Sequence, residues 1–278
     1  YKCRKQRVSA QKGDDIMSVI YTPRGPAREY SPLALNLYLQ CTHGCKYCYA
    51  PAAMQRKREG YFQKPEPRKD VVQQLRRELK RDVPKRQVLL SFIGDVYSET
   101  MDKNATTREV LEILSDYKVP VAILTKGGSR CLKDLDVFKT FGEHIQVGAT
   151  LTFLDEKKSK EWETGAAVPE ERLQTLKTLH DNGVKTFVSF EPVIEPEESL
   201  KLIERTLADE SVDVYKVGKL NHYQGLDKMI NWSRFLEDAL RMIRGAGKRV
   251  YVKHDLRIAA HDVPLYGNEV VADDFAVS

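Results

Sequence analysis

From Leu33 onward the chain alternates two apolar patterns. Short unbroken apolar runs read as buried strands, and stretches with apolar residues three and four apart read as helices. The runs predict strands over Leu35–Leu39, Gln87–Ile93, Val119–Thr125, His144–Thr150, Lys185–Phe190, Val212–Val217 and Arg249–Lys253. The helical spacing predicts Lys46–Glu59 (interrupted near Pro51), Asp70–Arg81, Thr106–Tyr117, Cys131–Phe141, Pro169–Asn182, Glu197–Ala208 and Asn231–Arg244. Thr106 followed by Glu109 has the form of a capping box. Pro169 opens its helix and Gly183 stands just past the end, the usual asymmetry of helix punctuation. Strand–helix alternation implies parallel strands joined by helices, an α/β fold. About seven such strands, with no Gly-rich dinucleotide fingerprint, fit a barrel or partial barrel better than a doubly wound sheet.

Residues 1–30 are basic, polar and broken by Pro23, Gly25 and Pro26, and read as an N-terminal arm. Met17 within it is a candidate internal start. Residues 31–260 read as one barrel domain and 261–278 as a C-terminal tail. A chain of 278 residues that is 41% hydrophobic can bury one large core. No apolar run approaches the roughly 18 residues that span a bilayer, so no membrane partner is expected. The net charge of +5 comes from 45 basic and 40 acidic residues, largely interspersed. That permits a nucleic-acid partner without arguing for one. Five cysteines are an odd count, and no signal peptide opens the chain, so a reducing cytoplasmic setting is expected rather than a disulfide framework.

Three of those cysteines carry the chemistry. Cys41, Cys45 and Cys48 stand in the run Leu39-Gln40-Cys41-Thr42-His43-Gly44-Cys45-Lys46-Tyr47-Cys48, a C-x3-C-x2-C spacing with an aromatic residue before the third cysteine. Soft thiolate ligands select iron–sulfur clusters, zinc or copper(I). A four-iron cubane takes four cysteines as a rule; three leave one iron open to a ligand. The alternative is a structural zinc site with His43 or Cys3 as fourth ligand, serving a nucleic-acid-binding module. A zinc ribbon pairs two such knuckles, and no second C-x2-C exists here.

The cysteine run resembles the cluster loop of the radical S-adenosylmethionine enzymes, C-x3-C-x-aromatic-C. The resemblance implies an open six-unit (β/α)6 partial barrel of TIM type, a [4Fe-4S] cluster and S-adenosyl-L-methionine on the fourth iron. It implies an enzyme that cleaves that cofactor reductively to a 5'-deoxyadenosyl radical, with a flavodoxin- or ferredoxin-type electron donor. Within the superfamily the chain resembles the spore photoproduct lyase branch from about Tyr30 to Glu195. The marks are the cysteine loop with Cys48-Tyr49-Ala50-Pro51, the stretch Asp95–Lys126 and the stretch Arg172–Phe190. The C-terminal third, with Glu191-Pro192 and Val214–Gly218, looks more like a phage-associated branch. A substrate among nucleic acids or nucleotides, DNA first, is what this resemblance implies. It departs from the lyase itself in one respect. The lyase places a hydrogen-donor cysteine near the end of its second strand, where this chain reads Val88–Ile93 without one. Tyr97 and Cys131 are then the candidate donors.

Parallel barrels gather function where strands exit into loops. The second strand exits through Gly94 and Asp95; a glycine admits close backbone approach. In the family a Gly-rich acidic segment here receives the amino group of the cofactor. The third exits through Thr125 and Lys126, a point charge suited to a carboxylate, which in the lyase branch is the carboxylate of the cofactor. Thr150 and Thr152 share one face at the fourth exit, where their hydroxyls can meet its ribose or carboxylate. Glu191 at the fifth can hold ribose hydroxyls or polarise a substrate. Tyr47 would pack beside the adenine. Lys216, Lys219, Asn221, His222, Lys253 and His254 at the last exits point weakly to an anionic substrate. Arg56–Arg58 with Tyr61, Phe62, Lys64, Arg68 and Lys69 mixes bases and aromatics, the make-up of a phosphate-holding surface or of a solvated face.

Overall fold

A computed structural model describes residues 18–99, 105–221, 223 and 225–278. Met17, Cys3, His222 and the first part of the arm lie outside the described residues. One eight-stranded sheet runs in strict chain order. Its strands are β1 (Ile20–Tyr21), β2 (Leu33–Leu35), β3 (Val88–Leu90), β4 (Val121–Thr125), β5 (Ile145–Thr150), β6 (Lys185–Val193), β7 (Val214–Lys219) and β8 (Arg249–Val252). β1 pairs antiparallel with β2, and every later pair is parallel. β1 and β8 remain the two edges, so the barrel is open. β3 and β5 are buried at every position, as strands covered on both faces must be.

The helices are α1 (Ala50–Ala53), α2 (Arg58–Tyr61), α3 (Val71–Leu79), α4 (Thr106–Asp116), α5 (Leu135–Thr140), α6 (Glu156–Trp162), α7 (Pro169–Asp181), α8 (Pro196–Ala208), α9 (Trp232–Gly245) and α10 (His254–Ala259). α9 shows why they cover the sheet. Trp232, Phe235, Leu236, Ala239, Leu240 and Ile243 form one buried stripe at helical spacing. Asn231 caps it, its side chain accepting from the Arg234 amide at 3.1 Å. Two apolar clusters result, one among β2–β5 with α3–α5, the other among β5–β8 with α7–α10.

Several expectations are corrected. The first strand ends at Leu35, because Leu37 and Tyr38 turn away to pair with the segment at Pro67 and Arg68. The capping box at Thr106 does not form: Ala105 holds the N-cap position, and the Glu109 carboxylate reaches Arg76 instead. Cys131–Phe141 splits into a 3-10 turn over Gly128–Asp134 and then α5. β1, α6 and α10 went unread.

Arm and tail pack on the open barrel. The arm's 3-10 turn, Gly25–Glu29, reaches the end of β8, where Glu29 accepts from the Tyr251 hydroxyl and the His254 amide, both at 2.7 Å. Arg28 meets Asp273 of the tail at 2.7 Å. The tail lies under the strand starts. Phe275 and Val277 are buried there, tied to Gln146 and Gln87 by hydrogen bonds of 3.0 and 2.9 Å.

Candidate active site

The C-terminal ends of the strands surround one cavity of about 370 Å³. At one end stands the cysteine loop, and the thiols of Cys41, Cys45 and Cys48 all line the wall. The loop is held from three sides. The Cys48 amide bonds the Cys45 carbonyl at 3.1 Å, and the Lys46 amide reaches Trp162 at the end of α6 at 2.8 Å. His43 Nδ1 meets the Gly165 carbonyl at 3.0 Å and Nε2 meets Asp95 Oδ2 at 2.8 Å. A Cβ on Gly94 would stand 2.3 Å from the Gln40 carbonyl, so the strand exit can pass the loop only as glycine. Burial pushes the thiols of Cys41 and Cys45 up to about 12. A cation that displaces those protons offsets that burial cost.

Asp95 is the hub behind the loop. Oδ1 accepts from the Tyr97 amide at 2.9 Å and the Thr125 hydroxyl at 2.8 Å; Oδ2 accepts from the Lys126 amide at 2.7 Å as well as meeting His43. Burial alone would raise its carboxyl, but His43 and these hydrogen bonds hold it well below the usual carboxylate range. Asp95 thereby ties the exits of β3 and β4 to the cysteine loop.

A second buried acid lies on the far side. Glu163 pairs with Arg172 of α7 at 2.6 Å, and both side chains are almost fully sequestered. Glu163 also accepts from the Tyr47 hydroxyl, and from Thr152 at 3.1 Å. Lys126 stands 5.6 Å above the Tyr47 ring, and its ammonium makes no hydrogen bond or ion pair among the described residues. Burial works against its charge, but the neighbouring Cys45 and Glu163 raise it above the ordinary lysine value.

At the other end Glu191 Oε2 accepts from Lys253 and from the Tyr30 hydroxyl, each at 2.6 Å. Tyr30 comes from the arm and lines the cavity, with Lys253 4.2 Å from its ring. Arg24, Phe92, Lys219 and Asn221 complete this end.

Of the residues singled out in the sequence, the three cysteines, Tyr47, Gly94 and Asp95 line the cavity, as do Lys126, Thr150 and Glu191. Thr125 and Thr152 stand behind the wall, bonded to Asp95 and Glu163. Neither donor candidate lines the cavity. Tyr97 is buried with its hydroxyl on Asp134 at 3.0 Å, and Cys131 is buried behind β4 and β5. Lys216 is buried beside the arm, bonded to the Tyr30 carbonyl at 3.2 Å. The sequence reading missed Tyr30, Glu163 and Arg172, and took His43 only as a zinc ligand. The partners lie 161, 116 and 122 residues away for Tyr30–Glu191, Tyr47–Glu163 and His43–Gly165, beyond any local pattern, whereas Arg172 meets Glu163 from the adjoining helix α7.

The thiols fit a cluster-binding wall. Cys41, Cys45 and Cys48 are the residues that would hold the cluster, although among the described residues no three or more His, Cys, Asp or Glu are already arranged around a metal position. The zinc alternative loses His43 as a ligand, because both of its ring nitrogens are engaged.

Fold and site together define a partial barrel with a thiol-lined cavity at its strand ends. The sequence model of the radical SAM superfamily matches residues 35–209, and the chain belongs to that superfamily. Members generally carry a [4Fe-4S] cluster and use S-adenosylmethionine. An uncharacterized protein of Methanocaldococcus jannaschii, MJ0683, is 30% identical over 58% of this chain, and the match spans 60% of that protein's length. ORF301 of Acidianus two-tailed virus is 25% identical over 70% of this chain and 68% of its own. In fold the chain is similar to spore photoproduct lyase with bound AdoMet and dinucleoside spore photoproduct, with a TM-score of 0.61 at 14% identity, over 80% of this chain and 76% of that one. SuiB of Streptococcus suis bound to S-adenosylmethionine gives 0.59 at 16%, over 84% and 53%. Among the described residues no helix is long and apolar enough to cross a membrane.

Proposed function

We propose that this chain is a radical S-adenosylmethionine enzyme that binds a [4Fe-4S] cluster on Cys41, Cys45 and Cys48 and acts on a nucleic acid or nucleotide. The observation that carries the reading is the meeting of three thiols and an unpaired lysine, Lys126, on one cavity wall. When bound, the cluster supplies the electron that cleaves the sulfonium of S-adenosylmethionine to a 5'-deoxyadenosyl radical. The protein supplies place, charge and exclusion of water. Lys126 offers its ammonium to a carboxylate, and Tyr47, braced by Glu163, presents a ring face for stacking. Among the described residues Glu191 Oε1 makes no hydrogen bond, which leaves it as an acceptor for a hydroxyl or a base N–H of a ligand.

Arg24, Lys219, Asn221, Tyr30 and Phe92 line the same cavity, a mix of cations and aromatics that suits phosphate and base together. Spore photoproduct lyase, similar in fold, holds a dinucleoside in its solved complex, which supports the same substrate class. Photoproduct reversal itself is not proposed, because no cysteine stands at the exit of β3, where the lyase has its hydrogen donor. The test is anaerobic reconstitution with iron and sulfide, then dithionite, S-adenosylmethionine and DNA oligonucleotides. 5'-Deoxyadenosine should form, and Cys45→Ala should hold no cluster. A full four-iron content in that variant would overturn the assignment.

A further inference from the structure

The segment from Pro51 to Asp70 covers the outer side of the cysteine loop and contributes only Phe62 to the cavity. Its inward side chains pack on the loop: Ala50 and Tyr61 cluster with Cys41, and Met54 and Phe62 join them beside Cys48. Arg58 stands over the Phe62 ring, 5.0 Å from its centre, and donates to the carbonyls of Cys45 and Cys48. One layer of chain therefore separates the thiols from solvent on this side. Its outward face is basic. Six basic and three acidic residues fall between 51 and 70. Arg56, Lys57, Lys64, Arg68 and Lys69 form no ion pair among the described residues, unlike Lys46–Glu161, Arg76–Glu109 and Lys158–Glu195; Arg77, Lys80, Arg81 and Lys85, in and just after α3, are likewise exposed without one.

We propose that this face, residues 56–69, docks a small acidic electron-carrier protein that delivers the electron to the cluster; the inference rests on the function proposed above. One electron passes from the reduced carrier to the cluster, and no atom or proton need move. Transfer falls steeply with distance, so the carrier must sit where the loop comes nearest to solvent without filling the cavity. The back of the loop meets that condition, and its uncompensated positive charge steers an acidic partner and penalises a basic one. A nucleic acid would be drawn to the same charge. It must, however, present its reacting carbon inside the cavity, whose own cations are Arg24, Lys126, Lys219 and Lys253.

The test is the triple variant Arg56→Glu, Lys57→Glu, Lys64→Glu, none of which lines the cavity. A reduced plant-type [2Fe-2S] ferredoxin is the probe. Its affinity is measured on the cluster-free chain, and its rate of cluster reduction on the reconstituted chain. The variant should bind ferredoxin at least about tenfold more weakly and accept electrons at least about tenfold more slowly, with the wild-type salt dependence largely lost. Formation of 5'-deoxyadenosine with excess dithionite should be unchanged. Ferredoxin affinity and rate within about twofold of wild type overturn the proposal. So does loss of single-stranded oligonucleotide binding with ferredoxin docking intact, which would give the face to nucleic acid. Failure of the wild type to form 5'-deoxyadenosine with dithionite would refute the function instead, and the cluster-free affinity still judges the face.

Discussion

Arg172→Met isolates the buried electrostatics of the site without any cofactor. Arg172 spends its guanidinium on three partners: Nε on the Ala167 carbonyl at 2.8 Å, Nη1 on the Thr150 carbonyl at 2.9 Å, and Nη2 on Glu163 at 2.6 Å. Methionine keeps much of the volume and removes all three. It leaves Glu163 as a charge in the interior, with two carbonyls unpaired. Breaking a buried pair from one side costs about 3–5 kcal/mol. The hydrogen bonds that Glu163 keeps from Tyr47 and Thr152 place the expected loss near the lower end, about 3 kcal/mol. For a chain this size the melting temperature should fall by roughly 5 °C. Adding Glu163→Gln removes the orphaned charge, so the double variant should recover about 1–2 kcal/mol, a coupling visible in the four-protein cycle.

The pH dependence has a fixed sign. Burial alone would raise the Glu163 carboxyl, but Arg172, Lys126 and the Tyr47 hydroxyl hold it below its ordinary 4.5. A depressed carboxyl contributes stability above its unfolded value and loses it as pH falls through the folded one. The Arg172→Met deficit should therefore be full near pH 7 and smaller at about pH 4. Urea unfolding of the wild type, both single variants and the double variant at the two pH values measures this. An Arg172→Met loss under about 1 kcal/mol, or a double variant no more stable than Arg172→Met, refutes the reasoning.

Lys126→Ala should weaken S-adenosylmethionine binding by at least about tenfold while iron content stays full; unchanged affinity removes Lys126 from the site. Gly94→Ala should destabilise by about 1–3 kcal/mol, because its Cβ would meet the Gln40 carbonyl at 2.3 Å; an unchanged unfolding midpoint contradicts that contact. Burial, with the like charge of Lys253, pushes the Lys216 ammonium down to about 7 from 10.5. Between these values the unfolded chain holds a proton that the native chain does not, so this group makes stability rise with pH, by at most about 1.4 kcal/mol per unit. Lys216→Met should flatten the rise, and an equal slope in both proteins tells against the shift.

The strand–helix series was legible because each buried parallel strand is a continuous apolar run, a signal carried by neighbouring residues. The cysteine loop was legible for the same reason, with all three thiols inside eight positions. Errors arose where a local pattern had a remote competitor. Leu37 and Tyr38 are as apolar as a strand, yet they pair with the segment at Pro67 and Arg68. Glu109 had the spacing to close a capping box on Thr106, but Arg76 of α3 offered its carboxylate a charge. The braces of the site were illegible in principle. His43 with Asp95, Tyr47 with Glu163 and Tyr30 with Glu191 meet only after the barrel folds, and nothing beside them in the chain announces the partner.

Those braces also polarise the cavity. At the Glu191 end the carboxylate is met by Lys253 and the Tyr30 hydroxyl, so charge there is largely neutralised within the protein. At the thiol end Asp95 is spent on four donors and Glu163 on Arg172, Tyr47 and Thr152. The Lys126 ammonium is left with no partner of its own. An elongated ligand with a carboxylate at one end therefore enters with that carboxylate toward the cysteines. Reversing it would leave Lys126 unpaired in a site of low dielectric and bring the carboxylate near Glu191, where Arg24 is the cation without an ion pair among the described residues. Which acids the fold has already satisfied thus bears on ligand direction, and Lys126, buried beside the thiols, marks the end where chemistry begins.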